Sequence, residues 1–250
     1  MRIEHPQPRD LPHLKMLWQE AFGDTDAFID LFFTSAFSPA RCLIVRLGDA
    51  LAAAAYWFDC SYGTCKAAYI YAVATAKAHQ GKGCCRALMD AIADELRKEG
   101  YACAILVPGD ASLSRMYSAM GYRFFGGMDT QQICACGPAL PITQITAAEY
   151  SQARRALLPV GGVLQEGENM AFLSRYCRFY QGECSLLAAF PTENALFVPE
   201  FWGNPTQMPR ILAAISAPNG IFRTRGSQSF AMCRMLTDGE MPTYFGFAFD

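Results

Sequence analysis

Histidine is scarce in this 250-residue chain, with three, and so is charge, with 18% of residues acidic or basic. The 21 basic residues against 23 acidic ones leave a net charge of -2. That balance lacks the excess of basic residues that nucleic acid or an anionic membrane surface calls for. Long apolar runs are missing too: the longest, residues 50–58, falls far short of the ~20 residues of a membrane-spanning helix. The start, Met1-Arg2-Ile3-Glu4-His5-Pro6, has no apolar segment of the secretory kind. What is plentiful is hydrophobic content, 52%, enough for one large core or two smaller ones. Eleven cysteines accompany it. In a chain this long without a secretory signal they read as reduced, small core residues of a cytoplasmic protein. Cys84-Cys85 and Cys134-Ala135-Cys136 lack zinc-type spacing, and neighbours on a helix or strand point apart, so no metal site is expected.

Hydrophobic periodicity orders the chain. Leu11, Leu14, Leu17, Trp18 and Ala21 recur at helical spacing, and Phe28, Leu31, Phe32 and Phe33 suggest a second helix. Three strand-like runs follow at residues 41–47, 51–59 and 66–75, separated by Gly48-Asp49 and Tyr62-Gly63 turns, an antiparallel meander. From residue 83 to 99 the period is helical again, with Cys84, Leu88, Ala91, Ile92 and Leu96 on one face and Gly100 as the C-terminal stop. A buried strand at 102–107, a helix at 111–120 closed by Gly121, and strands at 122–125 and 130–136 complete a mixed sheet flanked by helices. Gly137-Pro138-Ala139-Leu140-Pro141 reads as a linker. Beyond it come helices at 146–157 and 169–180, strands at 185–190 and 195–202, a helix at 205–215, and strands at 221–225, 230–236 and 244–249. That order repeats the first half in outline. The expected division is residues 1–137 and a degenerate second copy, 142–250.

The segment around Gln80-Gly81-Lys82-Gly83-Cys84-Cys85 lies between a strand and a helix, where glycines often cradle phosphate. A Walker A loop needs a glycine where Ala76 stands and a Ser or Thr where Gly83 stands, so it fails. A dinucleotide fingerprint needs a glycine at Arg86, and fails as well. The third pattern, [Gln/Arg]-x-x-Gly-x-[Gly/Ala] after a Val-x-Thr strand end, fits. "YIYAVATAKAHQGKGCCRALM" and the later "ASLSRMYSAMGYRF" resemble the two signature segments of the GCN5-related N-acetyltransferase (GNAT) superfamily. The resemblance covers roughly residues 1–136.

That resemblance implies an α/β (α+β) fold with a mixed, largely antiparallel sheet, acetyl-CoA as co-substrate, and transfer of an acetyl group to a primary amine of a small molecule or peptide. On it, the amides of Gly81, Lys82, Gly83, Cys84, Cys85 and Arg86 hold the coenzyme A pyrophosphate, and Gln80 shapes the loop. Val73, Ala74 and Thr75 offer backbone to the pantetheine. Cys85 departs from the family's usual Gly or Ala. Tyr117 matches the general acid that protonates the departing sulfur, and Asp110 stands where relatives often have an Asn near the cofactor. The glutamate many relatives carry before the loop is missing from Ala67-Ala68-Tyr69-Ile70-Tyr71. Three sources of the base stay open: Asp59, water, or a carboxylate at Asp250, since the Eis-like aminoglycoside acetyltransferases use their C-terminal carboxylate. The missing glutamate leaves a second reading, a non-catalytic acyl-CoA-binding or regulatory module. The acceptor pocket is expected between the first two helices, the 59–63 hairpin tip and the second half, among Trp18, Phe22, Phe28, Phe32, Trp57, Phe58 and Trp202. The glycine turn of the second half, at Trp202-Gly203-Asn204-Pro205, is too short to wrap a phosphate, so no cofactor is expected there.

Overall fold

In a computed structural model of the chain, which describes residues 1–248, strand β1 (Arg2–Glu4) leads into helices α1 (Leu11–Phe22) and α2 (Asp26–Ser35). α1 buries Leu14, Leu17 and Trp18, the stripe its spacing predicts. Thr25 caps α2 by accepting the Phe28 amide. The meander follows as β2 (Cys42–Leu47), β3 (Ala50–Tyr62) and β4 (Cys65–Thr75), antiparallel throughout. Then come α3 (Cys84–Lys98), β5 (Cys103–Leu106), α4 (Ala111–Ser118) and β6 (Arg123–Cys134). Residues 52–58 of β3 are all buried. Helices cover both faces of that strand, so its sequence reads as one apolar run rather than an alternation.

The second half adds β7 (Ile142–Ile145), α5 (Ala147–Leu157), β8 (Leu164–Gln165), α6 (Glu168–Leu173), β9 (Arg178–Gly182), β10 (Ser185–Pro191), β11 (Leu196–Trp202), α7 (Met208–Ile215) and β12 (Asn219–Met235). One sheet runs through both halves in the order β1-β2-β3-β4-β5-β12-β11-β10-β9-β7. The pairing repeats. An edge strand and two helices precede three antiparallel strands, and a helix then carries the chain to a parallel strand, β4 beside β5 and β11 beside β12. β12 serves both halves: Gly220 to Phe222 pair with β11, whereas Met232 to Met235 pair with β5 and complete the first half's sheet.

Four sequence expectations are corrected. The strands expected at 122–125 and 130–136 are the single β6, and those at 221–225 and 230–236 are the single β12, which pair with each other across a bulge between Arg225 and Ser229. The polar 226–229 stretch is that bulge rather than a turn between strands. Asp129 Oδ1 accepts the Ser227 and Gln228 amides there, at 3.0 and 3.2 Å. The helix expected over 169–180 stops at Leu173, because Arg178, Phe179 and Tyr180 pair with β10 instead. No strand occupies the described part of 244–249, where Tyr244 makes one parallel bridge to Gly162. That segment is aromatic because it is buried on all sides, with Tyr244, Phe245, Phe247 and Ala248 at most 2% exposed.

Three apolar cores result. One lies between the sheet and α3, around Leu88, Met89, Ile92 and Leu96. A smaller one lies under α7, around Met208, Ile211 and Leu212. The largest joins the halves: α1, α2, the inner face of β3 and β4, α6 and the 245–248 segment contribute Trp18, Phe32, Phe58, Phe172 and Phe247 to it.

Candidate active site

α3 begins without a side-chain cap. Gly83 at its N-cap takes φ 78° and Gly81 takes φ 74°, a left-handed conformation that glycine adopts without strain. A Cβ at either position would meet nothing within 4 Å, so backbone conformation, not crowding, demands glycine here. The first i→i−4 bond of the helix runs from the Ala87 amide to the Gly83 carbonyl at 3.0 Å. The amides ahead of it therefore face outward at the positive end of the helix dipole. They open on a cavity of ≈ 590 Å³ whose rim carries Lys77, His79 and Arg86. Gln80 Nε2 donates to the Thr75 carbonyl at 3.4 Å, tying the loop to the end of β4. Arg86 donates to the Ala119 carbonyl at 3.2 Å, tying α3 to the end of α4. Cys84 is 1% exposed within the core, Cys85 packs against that core, and both border the cavity. Burial pushes the Cys85 thiol up to about 11, which keeps it a protonated, small wall residue. Uncapped amides, a basic rim and a fold that leaves them open to solvent fit a diphosphate.

The strand before the loop supplies the second feature. β4 pairs with β5 only from Ala67 to Tyr69, so its edge over residues 70–75 has no strand partner among the described residues. Tyr56 pairs with Tyr71 and Ala54 with Ala74, which leaves Ala72 and Val73 opposite Ala55. Ala72 in this bulge has φ 48°, a strained conformation for a residue with a side chain. The bulge ends the β4–β5 contact and opens a wedge between the two strands. A second cavity, ≈ 680 Å³, lies in that wedge. It shares the walls Ala21, Phe22, Val73, Leu113 and Tyr117 with the first.

Tyr117 is 6% exposed at this junction. Burial, helped by the neighbouring Cys85, pushes its hydroxyl pKa up, so the group stays protonated. Its position follows from how α4 ends. The Tyr122 amide donates to the Tyr117 carbonyl at 3.1 Å and the Gly121 amide to Ser118 at 3.0 Å, with Gly121 at φ 88°. This is a Schellman stop, and it gives the Tyr-x-x-x-Gly-Tyr spacing a backbone reason. Asp110 caps the other end of α4 by accepting the Leu113 amide at 2.8 Å, and it lines neither cavity.

The ≈ 680 Å³ cavity gathers Trp18, Phe22 and Phe28 from the first helices, as expected, with Tyr69 and Tyr71 from β4. Phe32, Trp57 and Phe58 are core residues, and neither Trp202 nor the 59–63 hairpin tip lines the space. Asp59 is occupied elsewhere: it accepts from the Tyr101 hydroxyl and lies 3.6 Å from Arg41. Asp250 lies outside the described residues. The chain approaching it runs past the cavity wall, with the Phe245 ring 4.8 Å from that of Tyr69. Sequence reading passed over Asp24, Tyr176 and Phe190, which also line the cavity. Asp24 follows Gly23, the left-handed C-cap of α1, so a helix-to-helix turn was legible there although its direction was not. Tyr176 and Phe190 come from the other half of the chain, and no local pattern marks them. Among the described residues no group of three or more His, Cys, Asp or Glu is placed to hold a metal. No described helix is long and apolar enough to cross a membrane.

Residues 2–125 match the family model of the acetyltransferase (GNAT) domain. No curated protein matches the chain. Among solved structures, a GCN5-related N-acetyltransferase from Anabaena variabilis superposes with TM-score 0.72 at 13% identity, over 94% of this chain and 73% of that one. One from Kribbella flavida gives 0.67 at 18%, over 94% and 70%. Eis from Mycobacterium abscessus gives 0.66 at 12%, over 94% and 74%. At these identities the likeness is one of fold, extending over both halves. The cradle at α3, the wedge beside β4 and the helix bearing Tyr117 start or lie within the matched segment, and over residues 2–125 this chain belongs to the GNAT acetyltransferase family.

Proposed function

We propose that the chain is an acetyl-CoA-dependent N-acyltransferase that moves an acetyl group to a primary amine. The carrying observation is Tyr117, whose protonated hydroxyl stands on the wall common to the two cavities. Amides of residues 81–86 hold the pyrophosphate, with Lys77 and Arg86 on the cavity rim adding positive charge. The free edge at Val73, Ala74 and Thr75 receives the pantetheine as an added strand. The acetyl thioester then reaches the wedge. The primary ammonium first loses a proton to water; the amine lone pair then attacks the carbonyl carbon, the C–S bond breaks, and the sulfur leaves with the Tyr117 proton. The nitrogen loses its surplus proton to water, and Tyr117 is reprotonated from solvent. Asp110 contributes by fixing the start of the helix that carries Tyr117.

We assign this chemistry to a first unit, residues 1–137, and not to the second, 142–250. In the 3-10 turn Pro205–Gln207 that leads into α7, Asn204 Oδ1 already accepts the Thr206 amide at 3.0 Å and its hydroxyl at 2.9 Å. Pro205 and Pro209 have no amide to offer there. The test is Tyr117→Phe assayed by release of coenzyme A thiol. We expect kcat to fall by about 10²–10⁴ with acetyl-CoA affinity unchanged. A purely regulatory acyl-CoA-binding module would bind acetyl-CoA and turn over no amine. Unchanged kcat in Tyr117→Phe would remove the tyrosine from the chemistry.

A further inference from the structure

Among the described residues, 17 line the ≈ 680 Å³ cavity; eight of them are aromatic, one bears a carboxylate, and none is basic. The carboxylate is Asp24, in the turn between α1 and α2. Its Oδ2 accepts from Trp18 Nε1 at 2.7 Å. Trp18 is itself 2% exposed, with its ring 5.8 Å from Phe22 and 5.6 Å from Tyr71. A buried indole thus fixes one oxygen of the carboxylate and leaves the group its remaining lone pairs. Across the cavity, Tyr176 packs on Phe28 at 5.7 Å and on Phe190 at 5.3 Å, so the second half supplies a wall of rings.

We infer that the acceptor is an arylalkyl primary amine, one ammonium on a short chain bearing an aromatic ring, and that Asp24 binds the ammonium. The inference rests on the acyl-transfer reading of the adjoining cavities. Among the described lining residues a single carboxylate offers a charge partner to one ammonium. A second ammonium, as on a polyamine, would leave water with only ring faces to meet. The attraction of such faces falls short of what desolvating an unpaired ion costs. A free amino acid fares no better, because its carboxylate would face Asp24 with no basic side chain on the lining. An aryl ring, by contrast, removes its surface from water against the aromatic wall and pairs edge to face with it.

The experiment titrates 2-phenylethylamine, spermidine and phenylalanine into the full chain by calorimetry and follows acetyl transfer to each by coenzyme A thiol release. Phenylethylamine should bind, and its kcat/KM should exceed the other two by about 10-fold or more. Asp24→Asn, which removes one charge-assisted hydrogen bond, should raise KM for phenylethylamine by roughly 10- to 100-fold and leave KM for acetyl-CoA unchanged. Phe190→Ala, on the opposite wall, should raise the same KM without touching that for acetyl-CoA. Phenylethylamine binding that Asp24→Asn weakens, with no transfer to any amine, would uphold the arylalkylamine site at Asp24 and overturn acyl transfer. A preference for spermidine or phenylalanine, no amine binding at all, or an unmoved KM in Asp24→Asn would overturn the inference.

Discussion

Single residues set the chemistry through burial and backbone shape. Tyr117 is held protonated by its surroundings, which suits a proton donor and rules it out as a phenolate near neutral pH. Gly83 has φ 78° in open space, so Gly83→Ala should cost about 1–2 kcal/mol of folding stability by forcing a left-handed alanine. Urea unfolding measures that cost, and acetyl-CoA affinity should fall in the same variant because the amides turn with the backbone. The two adjacent cysteines differ in burial, Cys84 buried and Cys85 half-buried, but both border the cavity. Asp24 and Asp110 show what spacing leaves out. A carboxylate's partner, the Trp18 indole in one case and the Leu113 amide in the other, depends on where a turn points.

At the scale of elements, the ends of helices position the site. Gly121 closes α4 with two hydrogen bonds, and Gly121→Ala should lower stability by about 1–2 kcal/mol and reduce kcat more than acetyl-CoA affinity, since Tyr117 makes one of those bonds. Near the N-terminus, Arg46 joins β2 to Glu4 at 2.7 Å and to buried Asp10 at 2.5 Å. Burial raises the Asp10 pKa, but the Gln7 amide and Arg46 outweigh it, and the net shift is downward. A depressed carboxylate stabilises the fold above its unfolded pKa of about 3.9 and loses that contribution as pH falls through the folded value. Asp10→Asn should therefore be less stable than the parent at pH 7, with the gap closing as urea unfolding is repeated toward pH 3. α1 and α3 were legible because one period runs the length of each, and the β2–β4 meander because glycine-containing turns bound its apolar runs. β6 and β12 were not read as long strands because their polar bulge looks like a turn. The 244–248 segment read as a strand because burial from several sides makes the same aromatic run that a ladder would.

Across the whole molecule, the repeat of pairing was visible only as an order of elements, because the strand that closes the first half's sheet, β12, lies in the second half of the sequence. A buried cluster binds the second half together: Arg154 Nε meets Glu200 at 2.6 Å with side chains 1% and 0% exposed, and the Tyr150 and Tyr244 hydroxyls donate to the same carboxylate at 2.8 and 3.0 Å. Arg154→Met strands that carboxylate and should cost about 3–5 kcal/mol in urea unfolding, whereas Arg154→Met with Glu200→Met together should cost far less. Tyr244 carries this cluster to the segment that packs on Tyr69, and Tyr176 and Phe190 of the second half line the ≈ 680 Å³ cavity. The central claim is that one acetyl-CoA binds per chain, at the start of α3. Calorimetric titration of the full chain with acetyl-CoA tests it most directly. Saturable binding at one site per chain, weakened in Gly83→Ala, is the predicted result; no binding, or two equivalent sites, would contradict it.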